Sequence, residues 1–129
     1  MLTKTYLIGY ITDKVGDTML EYLFTNKNVE KILMYLNLHG KANATELSRA
    51  FESALDPIQK TLKKLEEGGL LASFLEGKTR VFQWNPRYPF LKEIQNLAEK
   101  AYTFLPLNIQ ERYFQQKKRK RPRKSGKPL

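Results

Sequence analysis

The feature of the sequence that most constrains its fold is a switch of hydrophobic periodicity at Gly68-Gly69. Residues 56–67 before the glycines carry apolar side chains at the three- and four-residue spacing of an amphipathic helix. Residues 70–75 and 79–85 after them alternate with a period of two, and the short segment 76–78 between them predicts a tight β-hairpin. A helix that runs directly into a hairpin requires a mixed α and β fold in which both elements share one core.

Local capping patterns predict further helices before this unit. A first helix is predicted where Met19, Leu20, Leu23 and Phe24 share one face. A second helix, capped by Asn26 or Asn28, follows the i, i+3, i+4, i+7 spacing of apolar residues and is stopped by Gly40. A third, short helix follows Asn43, and Glu46 stands three residues after that asparagine, which is the pattern of a capping box. The predicted fold class is therefore α+β and mostly α.

The order helix, helix, short helix, break, helix and hairpin is that of a winged helix-turn-helix domain with a two-stranded wing, predicted over residues 17–87. Asp56 as the cap and Pro57 at the first helical position predict the start of the helix that follows the break. In domains of this layout that helix enters the DNA major groove, and the hairpin contacts the flanking backbone. This interpretation makes double-stranded DNA the expected partner.

The helix over 56–67 has the two faces that this role requires. Ile58, Leu62 and Leu65 share the apolar face, whereas donors that reach base edges and phosphates lie on the outer face. The alternative is an ordinary solvated lysine-rich face, together with ordinary charges at a hairpin tip. The candidate DNA-binding residues of helix and hairpin are Gln59, Lys60, Lys63, Lys64, Lys78, Thr79 and Arg80.

Two stretches carry a resemblance to a known family. Residues 62–71, Leu-Lys-Lys-Leu-Glu-Glu-Gly-Gly-Leu-Leu, resemble the LxxLExxGLL pattern of winged-helix bacterial regulators of the ArsR-like superfamily and, more loosely, of the MarR-like one. Residues 82–89 resemble the aromatic-x-x-Asn-Pro-x-x-Pro stretch that links the hairpin to the last helix in some members. The resemblance covers roughly residues 17–102. It implies a dimeric transcriptional regulator, often a repressor, with recognition positions at Gln59, Lys60 and Lys63.

Metal sensing and catalysis are not expected. Metal-sensing members of that family use Cys and His ligands, but this chain has no Cys, and His39 is its one histidine. The absence of Cys excludes disulfides and thiolate zinc sites, and a single His is too few for a His-based metal site within one chain. The carboxylates show no paired pattern, so neither a cofactor nor an enzyme activity is implied.

Residues 88–106 are predicted to form a terminal helix with an unusually broad apolar stripe. The stripe either belongs to the core of its own chain or forms a seam between two copies. A small winged domain does not need so many apolar positions there, so we favour a homodimer, whose symmetry would match a palindromic DNA site. The candidate interface residues are Phe90, Leu91, Ile94, Leu97, Ala101 and Leu105.

Positive charge is concentrated at the end of the chain. The 129 residues contain 23 Lys and Arg against 13 Asp and Glu, a formal net charge of +10. Eight cations and no acid follow Gln115, which leaves a net charge of only +2 on residues 1–114. We predict a basic tail over 107–129 that is disordered when free. Its candidate DNA-binding residues are Lys117, Lys118, Arg119, Lys120, Arg121, Arg123 and Lys124.

The tail does not by itself select one polyanion, because DNA, RNA, an acidic protein surface or anionic lipid would each attract it, and its composition also fits a nuclear-localisation pattern. The favoured function is a homodimeric DNA-binding regulator, located in the cytoplasm with the nucleoid. The alternative is a winged-helix adaptor that binds protein or RNA through the tail. Residues 1–16 are predicted to form an arm or short strand, and no apolar run approaches the ~20 residues that span a bilayer.

Overall fold

The computed structural model describes residues 18–115, and these are α+β and mostly helical, as predicted. The predictions for residues 1–16 and for the seven tail cations from Lys117 to Lys124 lie outside the described residues. The elements in chain order are α1 (Glu21–Phe24), α2 (Lys27–His39), β1 (Lys41–Asn43), α3 (Ala44–Phe51), α4 (Leu55–Glu67), β2 (Leu71–Glu76), β3 (Thr79–Trp84), α5 (Leu91–Thr103) and α6 (Leu107–Ile109), followed by a π-helical turn over Gln110–Phe114.

The predicted helix ends at α2 and α3 are confirmed. The Asn26 side chain accepts a hydrogen bond from the Asn28 backbone N–H at 2.8 Å, and α2 ends at Gly40, which has a φ of 87°. That angle lies in the left-handed region, where a residue without a Cβ is favoured. At α3 the Asn43 side chain accepts from the Glu46 N–H at 2.8 Å, and the Glu46 carboxylate accepts from the Asn43 N–H at 3.4 Å. These bonds satisfy orphan donors of the first turn of α3.

The predicted start of α4 is wrong by two residues. The helix begins at Leu55, with Ala54 as its N-cap, so that Asp56 and Pro57 both lie inside the first turn. This arrangement is tolerated because the first N–H groups of a helix have no intrahelical partner, and proline has no N–H to lose. Asp56 is therefore an acidic residue of the first turn, and its negative charge stabilises the helix by interacting with the positive end of the helix dipole.

The sheet has three antiparallel strands in the order β1-β3-β2, where only a two-stranded hairpin was predicted. Strand β3 pairs with β2 from Glu76 opposite Thr79 to Leu71 opposite Trp84, with Gly77 at a φ of 68° in the turn. The additional strand pairs Asn43 with Val81 and is only three residues long. Three residues are too few to show a periodicity, so β1 had no sequence signal of its own.

Helix α2 lies at the centre of the core. A partly buried hydrogen bond ties it to α3, since the Tyr35 hydroxyl donates to the Glu46 carboxylate at 2.6 Å. Burial, and then this bond, raise the pKa of Tyr35 well above its usual value. The largest side chains that α2, α4 and the hairpin bury together are Ile32, Leu33, Met34, Leu36, Ile58, Leu62 and Leu71.

The described fold continues past the predicted start of the basic tail at residue 107. Helix α6 and the π-helical turn follow α5, and Phe114 in that turn is only 1% exposed. Its ring packs edge-on against Tyr102 of α5 with centroids 5.4 Å apart, and its carbonyl oxygen accepts from Nε2 of His39 at 2.8 Å. Residues 107–114 are thus helical and place Phe114 in the core, which corrects the predicted boundary of the tail.

Candidate nucleic-acid interface

Helix α4 presents a polar face outward because its apolar face is fixed in the core. Ile58 and Leu62 are both 0% exposed, and Leu65 is partly buried against the same core. Thr61, which the periodicity did not single out, is also buried. The four polar residues predicted to contact DNA are all exposed, namely Gln59, Lys60, Lys63 and Lys64.

The structure brings one of these residues together with all three predicted hairpin residues. A groove of about 390 Å³ runs between α4, the tip of the hairpin and the start of α3. Gln59 lines one side of it, and the buried Leu62 and Phe82 lie among its lining residues. The hairpin contributes Lys78, Thr79 and Arg80. Two elements that are separate in the sequence therefore present one amide, one hydroxyl and two cations to a single concave surface.

The groove has a third side that the sequence analysis missed. Asn43, Ala44 and Thr45, at the start of α3, complete its lining. Thr45 is exposed, so its hydroxyl is available to a ligand in the groove. The capping box at Asn43 correctly located this helix end, but no local pattern could show that it lies opposite the hairpin.

One lysine of α4 outside the groove, Lys60, lies beside a carboxylate. The Lys60 ammonium is 3.2 Å from the Asp56 carboxylate one helical turn away, and both side chains are largely exposed, at 76% and 72%. An exposed pair of this kind contributes little to stability and exchanges readily for other partners. Lys63 and Lys64 are exposed further along the same helix, so three lysines stand on the outer face of α4 between the exposed acids Asp56 and Glu67 at its two ends.

A short relay of hydrogen bonds holds Arg80 near α4. Its guanidinium donates to the Ser73 hydroxyl at 3.0 Å, and that hydroxyl donates to the Glu66 carboxylate at 2.6 Å. Because Glu66 belongs to α4 and Arg80 to β3, the relay fixes the hairpin relative to the helix. At the other side of the hairpin, Lys41 and Glu76 form an exposed ion pair of 2.8 Å.

The predicted interface residues of α5 fall into two groups. Ala101 and Leu105 are 6% and 4% exposed within the single chain, which leaves them almost no surface to offer a second copy. Phe90, immediately before α5, is 58% exposed. The remaining members of the stripe, which are partly exposed, are Leu91, Ile94 and Leu97. The inner half of the stripe belongs to the core, and only its outer half is accessible.

The structure also bears on two other kinds of site. Among residues 18–115, no three His, Asp or Glu side chains lie together as a metal site would require. Over the same residues, no helix combines the length and the apolar character needed to cross a membrane. Comparison of the sequence with models of known protein families and with curated proteins gives no match. The geometry of the groove and the charges around it are therefore the features of this chain that point to a function.

Proposed function

We propose that this protein is a winged-helix DNA-binding regulator that reads sequence with α4 and holds the backbone with its hairpin. The observation that carries the proposal is the groove in which Gln59 of α4 faces Lys78, Thr79 and Arg80 of the hairpin. It combines a side chain that can pair with a base edge and side chains that suit phosphate or sugar contacts.

The width of an α-helix and the width of the DNA major groove support this proposal. A helix with its side chains is about 10–12 Å wide, and the major groove of B-DNA is about 12 Å wide. Helix α4 exposes Gln59 near its N-terminal end, and Lys63 follows one turn later on the same side. Gln bonds adenine at two positions, and Lys donates to the acceptors of guanine or to phosphate. The outer face of α4 thus carries groups for both base readout and backbone attraction.

The hairpin would contact the backbone beside the site of α4. Lys78 and Arg80 are exposed at its tip, and the relay through Ser73 to Glu66 ties Arg80 to the helix. A cation positioned in this way reaches phosphate with less loss of conformational freedom than a fully mobile side chain. The hairpin therefore supplies affinity and register, while α4 supplies sequence discrimination.

A second copy would pack against the outer half of the α5 stripe. Phe90 is 58% exposed, and Leu91, Ile94 and Leu97 continue an accessible apolar surface from it. Pairing these surfaces across a two-fold axis would place two α4 helices on one duplex and match an inverted repeat. The regulatory action then consists of occupying promoter DNA, with repression as the expected result.

The proposal is tested by selection from random duplexes followed by a gel-shift assay. The full chain is expected to enrich an inverted repeat with half-sites about one helical turn apart. The variant Lys60→Ala with Lys63→Ala is expected to lose the preference for that sequence and to keep the helical circular dichroism. Its matched control, Lys92→Ala with Lys100→Ala, removes the same charge from exposed positions of α5 and should retain the preference.

The outcomes separate the two functions considered for this chain. Loss of preference in the α4 variant alone supports sequence reading by α4. If the α4 variant keeps the affinity and the preference of the unchanged protein, sequence reading by α4 is wrong. In that case, salt-sensitive binding to any polyanion would favour an adaptor that binds RNA or protein through its tail.

A further inference from the structure

The groove beside α4 is large enough to take a small molecule. Its volume of about 390 Å³ lies within the range of ~300–1,000 Å³ that is usual for ligand sites. Helix α4, the hairpin and the start of α3 each line one side of it, and two of its lining residues, Leu62 and Phe82, belong to the buried core. A duplex presents only the edges of its base pairs to a bound helix, so sequence reading by α4 does not by itself require a concavity that three elements surround.

The hairpin side of the groove suits a phosphate group. Lys78 and Arg80 supply two cations, and Thr79 between them in the sequence supplies a hydroxyl. One nitrogen of the Arg80 guanidinium donates to the Ser73 hydroxyl at 3.0 Å, and a guanidinium has five N–H groups, so donors remain for a ligand. Within residues 18–115, neither cation forms an ion pair with a carboxylate. Both charges are therefore available to an anion, and phosphate is an anion that guanidinium and ammonium groups both bind strongly.

The charge of the groove matches a phosphate monoester. Such a group carries a charge of about −1.5 to −2 at pH 7, which two cations balance. The lining residues, all of them in the described part of the chain, include no Asp or Glu that would repel it. A free phosphate ion meets the same condition, so the rest of the lining decides what else the ligand carries.

The other two sides of the groove suit a nucleoside. The Gln59 carboxamide of α4 has a donor and an acceptor in one plane, the pattern that pairs with the N6 and N7 positions of adenine. Leu62 and Phe82 give the groove an apolar part against which a flat base can pack. The exposed Thr45 hydroxyl both donates and accepts, as contact with a ribose hydroxyl requires.

We propose that the groove binds an adenine nucleoside monophosphate, and that this nucleotide displaces DNA from α4. Lys78 and Arg80 hold the phosphate, Gln59 pairs with the base, and Thr45 contacts the ribose. The displacement rests on the proposed function, because nucleotide and duplex need the same side chains of α4 and the hairpin. The binding of the nucleotide rests on the groove alone. The regulator thus has a small-molecule effector that competes for the residues that contact DNA.

Isothermal titration calorimetry with the full chain tests the binding of the nucleotide. Adenosine monophosphate should bind at least about tenfold more tightly than adenosine, inorganic phosphate or guanosine monophosphate. Gln59→Ala should bring the affinities of the two nucleotides to within about twofold of each other. Arg80→Gln should weaken binding of adenosine monophosphate to about the level of adenosine. The matched control Arg87→Gln removes an exposed cation that does not line the groove, and it should leave these affinities unchanged.

The same titrations can refute the nucleotide site. If adenosine monophosphate does not bind, the assignment of the groove to a nucleotide is wrong. If the Gln59→Ala and Arg80→Gln proteins bind it as the unchanged protein does, the nucleotide lies elsewhere on the molecule and the assignment is equally wrong.

Fluorescence anisotropy with the selected duplex tests the displacement. The ionic strength is held constant, because affinity for DNA depends on salt. Adenosine monophosphate at ten times its Kd should raise the apparent Kd of the duplex about tenfold, and adenosine at the same concentration should not. A nucleotide that binds the groove but leaves the affinity for the duplex unchanged refutes the displacement.

The two assays separate this inference from the proposed function. If the nucleotide binds as expected and no duplex is enriched, the proposed function fails and the nucleotide site stands. If a duplex is enriched through α4 and no nucleotide binds, the proposed function stands and this inference alone fails.

Discussion

Replacing Asp56 by Asn is expected to strengthen DNA binding while it weakens the fold. The Asp56 carboxylate lies 3.2 Å from the Lys60 ammonium on the exposed face of α4. In the proposed complex, Lys60 must exchange this partner for an acceptor on the DNA, and the carboxylate remains close to the DNA phosphates. Both effects oppose binding in the unchanged protein, and both disappear when the carboxylate becomes a neutral amide.

The size of the gain follows from two terms. An exposed pair one turn apart on a helix contributes about 0.4 kcal/mol. Repulsion between two unit charges about 7 Å apart in water amounts to about 0.6 kcal/mol. Together they correspond to about 1 kcal/mol, or roughly a fivefold lower Kd at low salt. Loss of the acid from the first turn of α4 should lower the free energy of unfolding by at most about 1 kcal/mol. Damage to the fold cannot tighten binding. A variant with higher affinity for DNA and a lower free energy of unfolding would therefore show that the carboxylate acts on binding directly.

Fluorescence anisotropy with the selected duplex measures the affinity, and thermal unfolding by circular dichroism measures the stability. The matched control is Glu99→Gln, which removes one acid from an exposed position of α5. Glu99 does not line the groove and belongs to a different helix from the lysines of α4. Equal tightening by Glu99→Gln would show that net charge alone is responsible and would refute the reasoning.

Three further predictions concern the rest of the molecule. The Glu30 side chain is 1% exposed and accepts hydrogen bonds from two backbone N–H groups, at 2.6 and 2.7 Å. Glu30→Ala should therefore lower the free energy of unfolding, measured with urea, by about 3 kcal/mol. A decrease below about 0.5 kcal/mol would contradict this role. Phe90→Arg should have the mass of a single chain, 15.1 kDa, by light scattering, whereas the unchanged protein should have twice that mass. A variant that is still dimeric would exclude the outer half of the α5 stripe as the interface. Because Arg112 lowers the pKa of Glu52, the stability from their pair is present above pH 4.5 and is lost as pH falls through the lowered value. The urea midpoints of the unchanged protein and Glu52→Gln should therefore converge on acidification, and a constant difference would contradict the pairing.

Helix ends that depend on neighbours in the chain were predictable. The bonds between Asn43 and Glu46 span three residues, and the positive φ at Gly40 is one that glycine adopts without steric cost. The start of α4 was predicted incorrectly from equally local residues, since Asp56 and Pro57 fit either the cap or the first turn. Local patterns determine that a helix begins nearby, and packing of its apolar face determines at which residue.

The sequence by itself determined the residue types of the candidate interface: an outward polar face on α4, two cations at a hairpin tip and a cluster of charge after the last helix. Only the tertiary structure decided which of these lie together. Thr45 reaches the groove because β1 pairs with a strand some forty residues later, and the final π-helical turn packs at the end of α3 because Arg112 meets Glu52 across sixty residues. It also divided the stripe on α5, burying Leu105 and exposing Phe90. Periodicity shows that a face is apolar, but what covers it depends on contacts between distant segments, which packing of the whole chain selects.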